Sequence, residues 1–397
     1  MASRPPVKDW ATDFDHTDPQ WMKDPFPIWD ELRSGCPIAH SGRFEDGAYF
    51  PSTYKAVRDI AYDSEHFSSR RVVVRDKKLE TPFPNPPITS DPPEHRGDRM
   101  PLLPPFNPKA VEKLTPGTRA LCQRLVDQFI TTGNCDAATD YAQHIPTRVI
   151  AKMLGVPEDD GDLFRHWIKM ALEEGIRDNS KSIQAIKEMS AYFMAEIAKR
   201  GSQRGDDLIS YMIDLRNDGQ PVPMDKLLGT LRLILIAGID TTWSAIGASL
   251  WHLATHPEDR RRLVADPSLM DTAVEEFLRA YAPVTMAREV VKEVTIGGCP
   301  MKAGSMVLLS FPAANRDPAM FPDADKVLID RKENRHAAFG LGIHRCIGSN
   351  LARMELRVAL EEWLKRIPEF RLEDPALVRW SEGTVRGPRS MRMIFGS

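Results

Sequence analysis

The sequence predicts a mainly α-helical protein with small β-sheets, built as a single domain around one long central helix. Three observations predict it. Apolar residues at helical spacing dominate from about residue 95 to 280 and again from 347 to 367. One of these patterns, MDKLLGTLRLILIAGIDTTWSAIGASLWHLATH, runs from about 224 to 256 without a proline. At 1.5 Å per residue it spans ~50 Å, and its apolar middle places it across the centre of the molecule. Alternating patterns with glycine turns are confined to about 35–60, 284–312 and 370–397.

Taken in order, GAYFPSTYKAVRDIAYD reads as a short strand, a turn and a helix. Residues 72–94 hold six prolines and read as a long loop, a length that often marks a functional lid. AVEKLTPGTRALCQRLVDQFITTG, YAQHIPTRVIAKMLGV and SIQAIKEMSAYFMAEIAKRG follow as helices before the long one. VVKEVTIGGCPMKAGSMVLLSF then turns to short strands, and a last long helix leads into a strand-like tail. The 397 residues allow two or three domains at ~150 residues each. No repeat, linker or low-complexity segment divides them, so one domain over 1–397 is the simplest reading.

Composition narrows the function. Apolar residues make up 42% and charged residues 27%, enough for a sizeable core under a solvated surface. A net charge of -3 argues against general nucleic-acid binding. The five cysteines (Cys36, Cys122, Cys135, Cys299, Cys346) are scattered and include no CxxC pair. That disfavours a zinc ribbon or a secreted disulfide framework and points to a reducing cytoplasm. The N-terminal residues have no apolar core, so neither a signal peptide nor a membrane anchor is expected. The longest apolar run, Leu233 to Ile239, is far shorter than the ~20 residues a bilayer requires.

The stretch FGLGIHRCIGSNLARMEL, residues 339–356, sets one thiol between glycine-rich turns and a helix start. A free cysteine is usually a small buried hydrophobe. Here a helix N-terminus would lower the Cys346 pKa. Gly340, Gly342 and Gly348 permit tight turns and close approach to something flat, and His344 and Arg345 can put positive charge beside an anionic ligand. A soft thiolate with N–H donors aimed at its sulfur suits an iron ligand.

FGLGIHRCIG closely resembles the haem-ligand loop of the cytochromes P-450, the haem-thiolate monooxygenases, whose pattern is F-G-x-G-x-[HR]-x-C-x-G. The order of the other elements extends the resemblance over nearly the whole chain. It implies the cytochrome P-450 fold, haem b (iron protoporphyrin IX) as cofactor, and Cys346 as the iron ligand, with Phe339, Gly340, His344 and Gly348 forming the loop around it. Glu276 and Arg279, three apart on one helix face, together with Arg331 resemble the family's structural Glu–Arg–Arg cluster. His95, Arg99, Arg288 and His344 stand where the family anchors the haem propionates. Met100 stands where the family often has a second arginine, and Gly97 weakens the same helix.

AGIDTT, residues 237–242, lies in the long helix. Ala237 and Gly238 are small enough for a flat ring to lie against the backbone, and a mid-helix glycine costs up to ~1 kcal/mol, so a reason for it is expected. Thr241 can bond dioxygen, water or the backbone one turn back. Asp240 can pass protons inward. The pair resembles the family's acid–alcohol couple for dioxygen activation. By position, the substrate pocket is lined by Val74, Phe83, Leu233, Ile236, Ala237, Val284, Met286 and Val385, which implies a small to medium hydrophobic substrate. Arg70, Arg71 and Arg75 can meet a substrate carboxylate or be solvated.

The resemblance therefore implies a monooxygenase: one oxygen atom enters the substrate by hydroxylation, O-dealkylation or epoxidation, and the other leaves as water. No GxGxxG or clustered cysteines indicate a fused reductase. Electrons are expected from a separate ferredoxin and ferredoxin reductase, docking beside Arg345 and Arg353. A soluble bacterial monomer in the cytoplasm is expected. Three other readings stand beside this one: a haem-thiolate peroxygenase or isomerase, a haem-based ligand sensor, and a non-haem protein with Cys346 merely buried.

Overall fold

The computed structural model describes residues 4–75, 83–217, 219–381 and 383–396. Its centre is the long helix, Met224–Thr255, which starts after Pro223 and ends where His256 and Pro257 redirect the chain. By length and composition this helix could cross a membrane, but 67% of its most apolar window is buried inside the protein. Its apolar surface is thus used on helix packing. Against it lie the helices His144–Leu154, Asn179–Arg200 and Ser349–Arg366. Gly155 ends the first of these in the left-handed conformation, φ 70°. In the last, Trp363 is fully buried and stacks near Phe129 and Tyr141, whose hydroxyl donates to Ala359 O at 2.7 Å.

The β portions at 35–60 and 284–312 join in one sheet. Its strands run Ile38–Ser41, Ala48–Pro51, Met306–Ser310, Thr285–Val290 and Phe67–Ser68 in spatial order. The pairing of Met306–Ser310 with Ala48–Pro51 is parallel and the other pairings are antiparallel. The strand Asn134–Asp136, inside the region read as helical, pairs with Arg392–Phe395, which in turn pairs with Phe370–Leu372. A three-residue strand leaves too little alternation to be seen against long helical patterns. An aromatic cluster of Trp10, Phe14, Trp21, Trp29 and Phe50 packs the N-terminal segment against the sheet. The expected loop at 72–94 falls partly outside the described residues, at 76–82.

Candidate active site

The thiol loop is shaped by backbone demands. Gly340 and Gly342 have φ of 71° and 70°. A Cβ on Gly342 would lie 2.3 Å from Ala61 O, so no side chain fits there. Cys346 N–H donates to Phe339 O at 2.7 Å, closing the loop, and the helix Ser349–Arg366 follows with Gly348 as its N-cap. The Cys346 side chain is exposed, yet it lies deep enough for the surrounding protein to desolvate it. Burial pushes its pKa up; the Gly348 N–H and then Arg99, Arg345 and Arg353 oppose this without overcoming it. The helix-terminus expectation of a lowered pKa is therefore corrected: in the protein alone, desolvation wins.

Around this thiol the structure brings together the four basic residues. Arg288 is buried on the strand Thr285–Val290, donating to Ala287 O at 2.7 Å. Among the described residues no carboxylate lies within ion-pair distance of it. Burial lowers its pKa to about 10. His344 bonds Ser69 Oγ at 2.8 Å, and its ring centre is 4.5 Å from that of His95. Burial, then Arg288, His95 and Arg99, lower the His344 pKa to about 3. His95 is buried with Nε2 unpartnered, its pKa lowered by burial and then by Arg99. Arg99 is half-buried and bonds Arg345 O. Four basic groups, their pKa values lowered mainly by burial and none in ion-pair contact with a carboxylate among the described residues, suit a dianion. The fit to a flat, sulfur-ligated cofactor with two carboxylates is good. Ser69, held by Asp91 through its N–H at 2.7 Å, is a residue the sequence did not single out.

The central helix supplies a second accessible surface. Ala237 is exposed in the middle of an otherwise buried helix, and Leu233, Ile236 and Thr241 are partly exposed beside it. Residues 233, 237 and 241 are spaced by four and share one face. Thr241 Oγ1 donates to Ala237 O at 2.7 Å, which leaves its lone pairs free to accept. Gly238 is explained differently from the sequence expectation. A Cβ there would lie 2.5 Å from Ile150 Cδ1, so close packing against His144–Leu154 requires the glycine. Asp240 is 1% exposed, and burial raises its pKa to about 6 against the pull of Arg389.

Of the residues expected to line a substrate pocket, Phe83, Val284 and Met286 are partly exposed. Val385 is buried and forms a β-bridge with Val284. Val74 is buried at 1% in the N-terminal aromatic cluster, so packing accounts for it and it offers no lining surface. Arg75 is not solvated: it bonds Gly175 O, and burial lowers its pKa to about 10. Arg71 pairs with Asp46 at 2.6 Å. The loop carrying Phe83 and the short helix Glu94–Arg99 that follows it are tied to the central helix on successive turns. Lys226 pairs with Asp98 at 2.8 Å, Gly229 makes room for Pro84 O, and buried Arg232 donates to Pro84 O at 3.0 Å and Ser190 Oγ at 2.9 Å.

Behind the thiol loop, Glu276 is fully buried and accepts from Arg279 Nε and Nη2, both at 2.9 Å, and from Arg331 Nε at 3.0 Å. Leu328 N–H and Asn334 Nδ2 complete its shell at 2.8 and 3.1 Å. Arg353, expected to dock a partner, lies over the Phe339 ring and pairs with Glu275, with Nη2 at 2.8 Å. Its charge is largely engaged, and Arg345 is the exposed one.

The family model described as Cytochrome P450 matches residues 150–378. The chain belongs to the cytochrome P450 family. This cytochrome P450 is 35% identical over 361 residues to a mycinamicin IV hydroxylase/epoxidase of Micromonospora griseorubida, covering 89% of this chain and 90% of the relative. It is 33% identical to a steroid C26-monooxygenase of Mycolicibacterium smegmatis, with 89% of each chain covered. Among solved structures, the polyketide-synthase cytochrome P450 PksS of Bacillus subtilis superposes with a TM-score of 0.89 at 27% identity, over 97% of this chain and 100% of that one. The cofactor of this cytochrome P450 is haem b, and the enzyme is a haem-thiolate monooxygenase.

Proposed function

We propose that Cys346 is the thiolate ligand of the haem, that His95, Arg99, Arg288 and His344 hold its propionates, and that Asp240 and Thr241 manage the protons of dioxygen cleavage. The observation that carries this reading is the convergence of four basic groups, none of them in ion-pair contact with a carboxylate among the described residues, beside an exposed thiol. Haem, when bound, supplies the binding, reduction and cleavage of dioxygen, with the thiolate sulfur favouring cleavage. The chain's residues do the rest. The basic cluster orients the cofactor through charge-assisted hydrogen bonds. Thr241 accepts a hydrogen bond while its own proton rests on Ala237 O. Asp240, with its carboxyl balanced between two charge states near neutrality, can release and recover a proton. Glu276, Arg279 and Arg331 hold the loop in place.

The partly exposed side chains Phe83, Leu233, Ile236, Ala237, Val284 and Met286 offer an apolar lining for a small to medium hydrophobic substrate. Relatives named for mycinamicin IV, a steroid and vitamin D(3) fit such a lining, and none is favoured over the others. The enzyme works as a soluble cytoplasmic monomer, taking electrons from a ferredoxin and its reductase that dock near Arg345.

The test is a visible spectrum of the reduced, carbon monoxide-treated protein. The thiolate-type absorption is expected in the parent and absent in Cys346→Ala; its persistence in the variant refutes the assignment. Turnover with ferredoxin, reductase and NAD(P)H, compared with peroxide alone, separates the monooxygenase from a peroxygenase.

A further inference from the structure

Among the described residues Arg389 is the ion-pair partner of the buried acid of the central helix, Asp240. It sits on Pro388–Ser390, which pairs with Arg379–Trp380 as a hairpin near the C-terminus. Two contacts fix this hairpin. A Cβ on Gly387 would lie 2.3 Å from Ser244 Cβ, and one on Gly383 would lie 2.4 Å from Leu172 O. The hairpin is thus wedged between the central helix and the segment Met170–Glu174, with Arg389 projecting between the two. Its Nε bonds Glu173 Oε1 at 2.7 Å, its Nη1 donates to Ser244 Oγ at 3.0 Å, and its Cζ lies 4.4 Å from the Trp243 ring centre. Its Nη2 is 2.8 Å from Asp240 Oδ1. That contact is single-pronged, and Asp240 Oδ2 has no hydrogen-bond donor.

We infer that Arg389 and Glu173 are positioning residues that set the charge state of Asp240, two carboxylates competing for one guanidinium that cannot move toward either. This rests on the reading of Asp240 as the proton donor. An arginine free to turn would form a paired, two-pronged contact with Asp240 and hold it ionised. Held by Ser244 and Trp243 and aligned on Glu173, it meets Asp240 with one nitrogen only. The remaining neighbours do not intervene. Ile150, from the helix His144–Leu154, is apolar. Asp136, on the strand beside the hairpin, is taken by Ser390 Oγ at 2.6 Å and Met391 N–H at 2.9 Å. The charges that act on Asp240 are Arg389, which stabilises the carboxylate, and Glu173, which opposes it.

The test is infrared difference spectroscopy of the holoenzyme across pH. The protonated-carboxyl band of Asp240 is assigned by its loss in Asp240→Asn. Glu173→Gln should lower the titration midpoint by about 1 pH unit, and Arg389→Met should raise it by at least that much. Arg389→Lys, which keeps the charge, should return the midpoint part of the way. The fraction of reducing equivalents recovered as product, measured against pH, should move with the band. Midpoints unchanged in both Glu173→Gln and Arg389→Met overturn the inference, including when thermal stability falls. If Asp240→Asn leaves the product fraction untouched, the proton-donor reading fails instead, and the band shifts still decide what sets the charge.

Discussion

Replacing Glu276 by alanine offers the sharpest account of what the buried cluster is worth. The carboxylate is fully buried and neutralises two guanidinium groups, of which Arg279 is fully buried. Arg279 also donates to the carbonyls of Asn315, Ala324 and Lys326 at 2.9, 2.8 and 2.6 Å, so it cannot swing out to water without breaking three further bonds. Removing one partner from such a network costs about 3–5 kcal/mol, because the surviving charges remain buried. An unfolding entropy of ~2.1 cal/mol/K per residue gives about 0.8 kcal/mol/K for a chain of 397 residues. The thermal midpoint should therefore fall by about 4–6 °C. Calorimetry of the haem-loaded proteins checks it, with Glu276→Gln as a companion that keeps the shape and loses the charge. A fall under about 1 °C in Glu276→Ala would show that water reaches the cluster and that the buried-charge reasoning is wrong.

Gly342→Ala should fold but retain less haem, since the new Cβ meets Ala61 O and φ of 70° is strained for alanine; haem content per protein measures it, and full retention counts against the tight-loop argument. Burial alone would raise the pKa of Glu275, but hydrogen bonds from Arg353 and His336 outweigh it and lower the value from 4.5 to about 2. A lowered folded pKa gives stability present above pH 4.5 and lost as the pH falls toward 2. Glu275 is 30% exposed, so solvent reduces the contribution to ~1 kcal/mol. Glu275→Gln should be less stable than the parent at pH 7, with the gap closing as the pH falls through about 2; denaturant titrations at pH 7 and at or below pH 2 decide, and a constant gap refutes the linkage. Thr241→Ala should keep consuming reducing equivalents while yielding less product, and Asp240→Asn should slow turnover by roughly 10²-fold. Product and peroxide assays read both, and unchanged ratios in either variant remove that residue from proton management.

Much of the fold was legible because its longest pattern is also its most apolar. The run at 224–256 needed only helical period and the absence of proline, and the helix spans Met224–Thr255. The strand Asn134–Asp136 was not legible, because its partners Arg392–Phe395 lie at the other end of the chain. The site divides the same way. Cys346 and its glycines share a ten-residue motif, whereas the Ser69–His344 bond joins residues 275 apart and Arg389 meets Ser244 across 145 residues. No local pattern distinguishes those partners from solvated ones. Gly238 shows a subtler limit: sequence said that a small residue was needed there, and only the helix opposite says why.

The ties of Arg232 resist changes in solvent. Its partners are a backbone carbonyl, the Asn85 side-chain amide and a hydroxyl, none of which titrates or carries charge. Added salt screens the outer Lys226–Asp98 pair but barely touches this inner one. The attachment of the Pro84 segment to the central helix should therefore be nearly insensitive to buffer acidity and ionic strength.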